Sequence, residues 1–226
     1  MQSITKTLLK QLPKVELHCH LDGSIRTRSI IDQAKKDNVK LPFKNINDLD
    51  NYFRIGKKRG SLEDYIQRFE ITLSVMQTPE SLNRFAYELI EDVSKENVRY
   101  IEIRYSPILH TRNGMTLNNA IRSVQKGLKR GEKVYGVKSG IIVCGIRHIP
   151  PEASLKLADL AVKFKNQGVV GFDLAGAEEN FPAKEHREAF YLIRNNNINA
   201  TIHAGEAFGP SSIHQAIHNL FVDKYV

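Results

Sequence analysis

His18 and His20, in the run Lys14-Val15-Glu16-Leu17-His18-Cys19-His20-Leu21-Asp22, are the first residues whose types and spacing could do chemistry. In an extended segment side chains alternate, so Glu16, His18, His20 and Asp22 share one face and Val15, Leu17, Cys19 and Leu21 the other. Two imidazoles at i and i+2, at the C-terminal end of a strand, can aim at one point, as two ligands of a zinc ion must. A lone His-x-His pair is a weak signal, and two hydrogen-bonded surface histidines are its ordinary explanation. The apolar opposite face, suited to packing against helices, tips the balance toward a metal, because burying both imidazoles without a partner would be costly. A third imidazole comes from Thr201-Ile202-His203-Ala204-Gly205-Glu206. With Ile202 and Ala204 toward helices, His203 faces the same interior. Catalytic zinc sites use a few protein ligands and leave one position for water. Glu206 stands three residues past His203, placed to move protons; as a plain structural residue it would be a first-turn carboxylate of the next helix.

The elements that must position these groups read as alternating strands and helices. Strand-like runs rich in Val, Ile and aromatics occur at 14–21, 99–106, 138–146, 169–176 and 200–206. Helical periodicity fills the gaps: Leu82, Phe85, Ala86, Leu89, Ile90 and Val93, then Leu155, Leu157, Ala158, Leu160 and Ala161 with Ser154 as the expected cap. Residues 25–97 are far more than one crossover needs and carry their own stripe, Leu62, Tyr65, Ile66, Phe69 and Leu73. This alternation implies parallel strands with helices outside. The fold class is therefore α/β, an incomplete (β/α)₈ TIM barrel of about five βα units in one domain spanning 1–226, with 25–97 as a helical insertion. A doubly wound open sheet is the competing architecture, but no glycine-rich phosphate loop follows the first strand.

Composition narrows the function classes. Lys and Arg number 33 against 25 Asp and Glu, a formal charge of +8. The basic residues are scattered, however; the densest groups, Lys57, Lys58 and Arg59 and the run Lys126, Lys129, Arg130 and Lys133, lack interleaved aromatics and read as solvated faces. No nucleic-acid partner is expected. No apolar run reaches the ~20 residues of a membrane span, and no signal peptide is read at the N-terminus. Two cysteines, Cys19 and Cys144, do not make a disulfide framework, so the expected compartment is the reducing cytoplasm.

PKVELHCHLDGS at 13–24, RYSP at 104–107, DLAG at 173–176 and HAGE at 203–206, in that order, resemble the adenosine deaminase family. The resemblance runs from residue 13 to about 220. It implies a (β/α)₈ barrel with one zinc ion per chain at its C-terminal mouth, held by His18, His20 and His203. It implies that Glu206 gives a proton to N1 of a purine, a role that needs a carboxyl kept protonated by burial. It puts Asp22 and the edge of His20 near a ribose 5′-hydroxyl, and the Gly176 backbone at the purine ring. The insertion then becomes a lid, with Leu62, Tyr65, Ile66 and Phe69 as its apolar wall. The implied partner is a small purine nucleoside.

The family pattern also includes three more strands that supply a further histidine and an Asp-Asp pair, one member of which binds zinc. The chain ends at Lys224-Tyr225-Val226, where the sixth strand should begin. It is expected to be the N-terminal two-thirds of such an enzyme and inactive alone. His214 and His218, at i and i+4 after the last strand, read as solvated, and His110, His148 and His186 have no ligand-like context. Rival readings are deaminases of adenine, of N6-substituted adenine nucleotides or of a futalosine-type nucleoside, a two-metal amide or phosphoester hydrolase, and an inactive fragment.

Overall fold

The computed structural model describes residues 4–43, 45–54 and 61–220; the basic run Lys57, Lys58 and Arg59 and the terminal Lys224, Tyr225 and Val226 lie outside them. Five parallel strands form one sheet in chain order: β1 (Lys14–His20), β2 (Val98–Tyr105), β3 (Lys138–Ile146), β4 (Val169–Ala175) and β5 (Asn199–Ala200). A helix α1 (Lys6–Gln11) precedes β1. Between β1 and β2 stand α2 (Thr27–Lys36), α3 (Ile46–Phe53), α4 (Leu62–Gln67), α5 (Phe69–Ser74) and α6 (Pro79–Lys95). The later crossovers are α7 (Leu117–Tyr135), α8 (Pro151–Phe164) and α9 (Arg187–Asn195), and α10 (Pro210–Leu220) follows β5. Strict sequence order with a helix in every crossover is the arrangement of successive units of a (β/α)₈ barrel.

Alternation along the strands divides the sheet into two chemistries. Ile101, Ile103, Tyr105, Ile141, Val143, Phe172, Leu174, Ile202 and Ala204 face the helices and join Leu82, Phe85, Ile90, Ile121, Val124, Leu157 and Ala161 in one core. The opposite face carries the polar groups of the site, including His20, Arg104, Asp173 and His203. Local signals set the helix starts. Thr78 and Ser81 close a capping box at α6 with Pro79 in its first turn, and Ser61 does the same with Asp64 at α4.

The apolar stripe from Leu62 to Leu73 is helical, carried by two short helices, α4 and α5, that meet at Arg68. Several expectations are corrected. Ser154 does not cap α8: the helix begins earlier, at Pro151, whose fixed φ suits a first helical position. Ser154 is buried within α8, and its hydroxyl pairs with His186 Nδ1 at 2.9 Å. Val15 and Leu17 are not packed under helices; they are 61% and 48% exposed because β1 is a sheet edge. The ladder of the fifth strand is only two residues long. Its extension still follows β4, since Thr201 N–H donates to Phe172 O at 2.9 Å and His203 N–H to Leu174 O at 3.1 Å. The run Lys126, Lys129, Arg130 and Lys133 lies on the exposed face of α7, as expected.

Small residues let α6 and α7 approach closely. A Cβ added to Gly127 would meet the Asn83 carbonyl oxygen and come within 2.9 Å of Ala86 Cβ. In a helix free of such neighbours, Gly to Ala stabilises by about 1 kcal/mol. Here the neighbour is backbone, and overpacking costs about 1–3 kcal/mol. Gly127→Ala is therefore expected to lower the urea midpoint of unfolding; a raised midpoint would show that α6 and α7 are free to separate.

Candidate active site

The C-terminal end of β1 and the segment after β5 bring three imidazoles together. His18 Nε2 lies 3.2 Å from His20 Nε2 and 3.1 Å from His203 Nε2, and His20 Nε2 lies 3.1 Å from His203 Nε2. A neutral imidazole nitrogen either carries a proton or presents a lone pair. Among three such atoms at least two are of one kind, so at least one edge of the triangle sets like against like. Three mutual hydrogen bonds are impossible. A central cation removes the conflict by accepting all three lone pairs. Two nitrogen ligands at ~2.05 Å from a tetrahedral zinc stand about 3.3 Å apart, close to the observed spacing.

Electrostatics prepare the donors for that role. Burial lowers the His18 pKa to about 4, aided by the Arg104 charge, and lowers that of His20 to about 3. Both rings are therefore neutral, with lone pairs available. His203 behaves differently: burial works to lower its pKa, but Asp173 more than offsets this and raises it. Its Nδ1 lies 3.0 Å from Asp173 Oδ2, though not aligned as a full hydrogen bond. A carboxylate on the outer nitrogen of an imidazole fixes its tautomer and turns Nε2 toward a metal. Asp173 is itself held by the guanidinium of Arg104, which reaches over β3 to donate from Nη1 to Oδ2 at 3.0 Å and from Nη2 to Leu17 O at 3.0 Å. Burial raises the Asp173 carboxyl, and the charges of His203 and Arg104 outweigh it and hold the group well below the usual carboxylate range.

A cavity of about 290 Å³ opens on this cluster. Its walls include His18, His20 and His203, together with Asp22, Gly176 and Glu206. Leu62, Tyr65, Ile66 and Phe69 line it from the side of α4 and α5, so the sequence-derived wall and site residues meet in one space. Asp22 is buried, with Oδ1 lacking a hydrogen-bond partner among the described residues, and burial raises its pKa to about 6. Gly176 adopts φ +97°, and a Cβ there would come within 3.1 Å of the His148 ring. The positive φ and the close ring both disfavour a side chain there.

Two expectations about side chains change. Glu206 is exposed, not buried. It lines the cavity all the same. His148, given no role from sequence, lines the same cavity. His110 and His186 are structural: His110 Nδ1 contacts Met76 O, and His186 contacts Ser154 and Arg147 O. His214 and His218 stand exposed on α10 with their rings 4.3 Å apart. Among the described residues the only group of three or more potential ligands is His18, His20 and His203. Sequence reasoning gave Arg104 and Asp173 no roles, although each lies in a quoted motif. The available signal was a charge in the middle of an apolar strand, which must be paired to be tolerated.

The sequence model of the adenosine deaminase family matches residues 13–225. The chain belongs to the adenosine deaminase family. Its sequence is 40% identical over 219 residues to the adenosine deaminase of Clostridium acetobutylicum, covering 97% of this chain and 65% of that relative. It thus spans just under two thirds of that protein's length. Among solved structures, a cog1816 amidohydrolase with bound Zn superposes with a TM-score of 0.86 at 24% identity, covering 99% of this chain and 62% of the other. The N6-methyl-AMP deaminase of Arabidopsis thaliana gives a TM-score of 0.80 at 25% identity, covering 96% and 64%. Family membership and the α/β fold agree with the expectations drawn from the motifs. Cys19 and Cys144 are free thiols, and among the described residues no helix is long and apolar enough to cross a membrane.

A cation seated in the imidazole triangle makes a direct prediction for this family member. Removing one corner by His203→Ala should reduce bound zinc to a small fraction of the parent's, as read by metal analysis after gel filtration. Undiminished zinc would place the ion elsewhere.

Proposed function

We propose that the protein catalyses the hydrolytic deamination of adenosine and 2′-deoxyadenosine, with release of inosine or 2′-deoxyinosine and ammonia, as a step of purine salvage. The single observation that carries this reading is the convergence of His18, His20 and His203 in the cavity that also holds Glu206 and Asp22. One zinc ion per chain would be held by His18, His20 and His203, and when bound it supplies a water activated for attack near neutral pH.

The remaining work falls to the chain's own groups. Glu206 donates a proton to N1 of the adenine ring as oxygen bonds to C6. The C6–N bond to the amino group then breaks; of the two protons of the water whose oxygen stays on C6, one completes the leaving ammonia and the other restores Glu206. The Gly176 backbone meets the ring where a side chain would obstruct it. Leu62, Tyr65, Ile66 and Phe69 cover the apolar part of the ligand as a lid and exclude water, which strengthens the polar interactions inside. The unpartnered Asp22 Oδ1, beside His20, accepts the ribose 5′-hydroxyl. A carboxylate in that place disfavours a 5′-phosphate, so a nucleoside fits better than a nucleotide, and a free base would leave Asp22 unsatisfied.

Two measurements test the assignment. Glu206→Gln should retain zinc and nucleoside binding while turnover falls by ~10²–10⁴, the usual contribution of a general acid; a rate within a few-fold of the parent would remove Glu206 from the chemistry. Asp22→Ala should weaken kcat/KM for adenosine by about tenfold or more, as for a charge-assisted hydrogen bond worth roughly 1.5–3 kcal/mol. Its effect on 5′-deoxyadenosine should be small. Equal losses on the two substrates would give Asp22 a role in the metal site instead.

A further inference from the structure

Glu206 sits in an irregular segment between β5 and α10, residues 201–209, beyond the backbone bonds that Thr201 and His203 make to β4. Side chains from two other loops hold it there. Glu178, three residues past the end of β4, is buried, and its carboxylate straddles Glu206. Oε1 accepts the N–H of Gly205 at 2.6 Å, and Oε2 accepts the N–H groups of Ala207 and Phe208, the latter at 2.8 Å. Arg147, one residue past β3 and equally buried, has a guanidinium nitrogen 4.0 Å from Glu178 Oε1. The same guanidinium donates to the carbonyl of His203 and, at 3.1 Å, to that of Phe181. One buried ion pair thus grips the peptide chain on the His203 side through a carbonyl and on both sides of Glu206 through N–H groups.

We infer that Glu178 is a positioning residue for Glu206, with Arg147 as its counter-charge, so that the clamp sets where the proton donor stands relative to the imidazole triangle. The inference rests on the role proposed above for Glu206. The bonding is more than a loop needs merely to stay folded. Three N–H groups converge on one carboxylate, and two of them belong to the immediate neighbours of Glu206. Burial opposes ionisation of Glu178, but the Ser212 hydroxyl and these N–H groups more than offset it and keep the carboxyl below its ordinary range. The carboxylate is therefore a fixed anchor. Misplacing a catalytic group by about 1 Å can cost on the order of 10²-fold in rate, which gives such an anchor leverage over turnover.

The test is a double-mutant cycle in the zinc-loaded full-length protein. Glu178→Gln keeps the side-chain shape but sets an amide N–H₂ against backbone donors. In the parent background it should lower kcat for adenosine by ~10–10²-fold, with KM within about threefold and zinc content unchanged. In the Glu206→Gln background, where there is no proton donor left to position, the same change should cost less than about twofold. Equal losses in both backgrounds, or loss of zinc, would make Glu178 a general structural residue and overturn the inference. If Glu178→Gln does not fold, Arg147→Lys, which keeps the charge but loses the fork, is expected to show the same non-additivity. Amide hydrogen exchange at Gly205, Ala207 and Phe208, read without substrate, tests the clamp independently of activity. Faster exchange in the variant is expected, and unchanged protection would refute the clamp even if adenosine is not the substrate. A parent without adenosine turnover but with accelerated exchange in the variant would count against the functional reading and leave the clamp standing.

Discussion

Three imidazole nitrogens held 3.1–3.2 Å apart cannot satisfy one another, and the architecture around them serves that constraint. Left alone, the triangle sets at least one pair of like groups face to face, a cost that a buried site does not tolerate without a partner. A divalent cation turns the conflict into coordination. The parallel sheet makes the arrangement possible because β1 and the segment after β5, at opposite edges, both deliver residues at their C-terminal ends. The helices on the other face supply the packing that fixes those ends.

Behind the triangle stands a layer of buried charge with one logic. Arg104 holds Asp173, and Asp173 stands against the outer nitrogen of His203. Removing one partner of such a pair leaves the other uncompensated, which is far costlier than exposing a surface ion pair. Arg147 and Glu178 repeat the device one loop away, around Glu206. In both cases a cation and an anion from different strand ends cross-link the interior face.

The sequence was legible where physics is local. Alternation placed Ile101, Ile103, Phe172 and Leu174 toward the helices, and the motif histidines fell together as their i and i+2 spacing and inward register required. The four motifs identified the family, and the helical stripe of residues 62–69 reached the cavity wall. What stayed hidden depends on partners distant in sequence. Nothing local says that Arg104 reaches Asp173 over an intervening strand, or that Glu178 accepts from Gly205 and Ala207. His148 reads as an ordinary loop histidine until the chain folds it against Gly176. The helix boundary at Ser154 was misplaced because a proline at a first helical position and a serine cap are both legitimate starts. Its hydroxyl was wanted by His186, a long-range partner. Burial of Glu206 was likewise expected from its chemistry, whereas the residue is exposed in the irregular segment after β5.

The central claim is that the imidazole triangle is a zinc site. Anomalous diffraction at the zinc edge, from crystals of the zinc-loaded protein, tests it most directly. The account predicts one strong peak per chain at ~2.0–2.1 Å from Nε2 of His18, His20 and His203. A zinc peak bound by other residues, with these three nitrogens paired to protein or water, would contradict it.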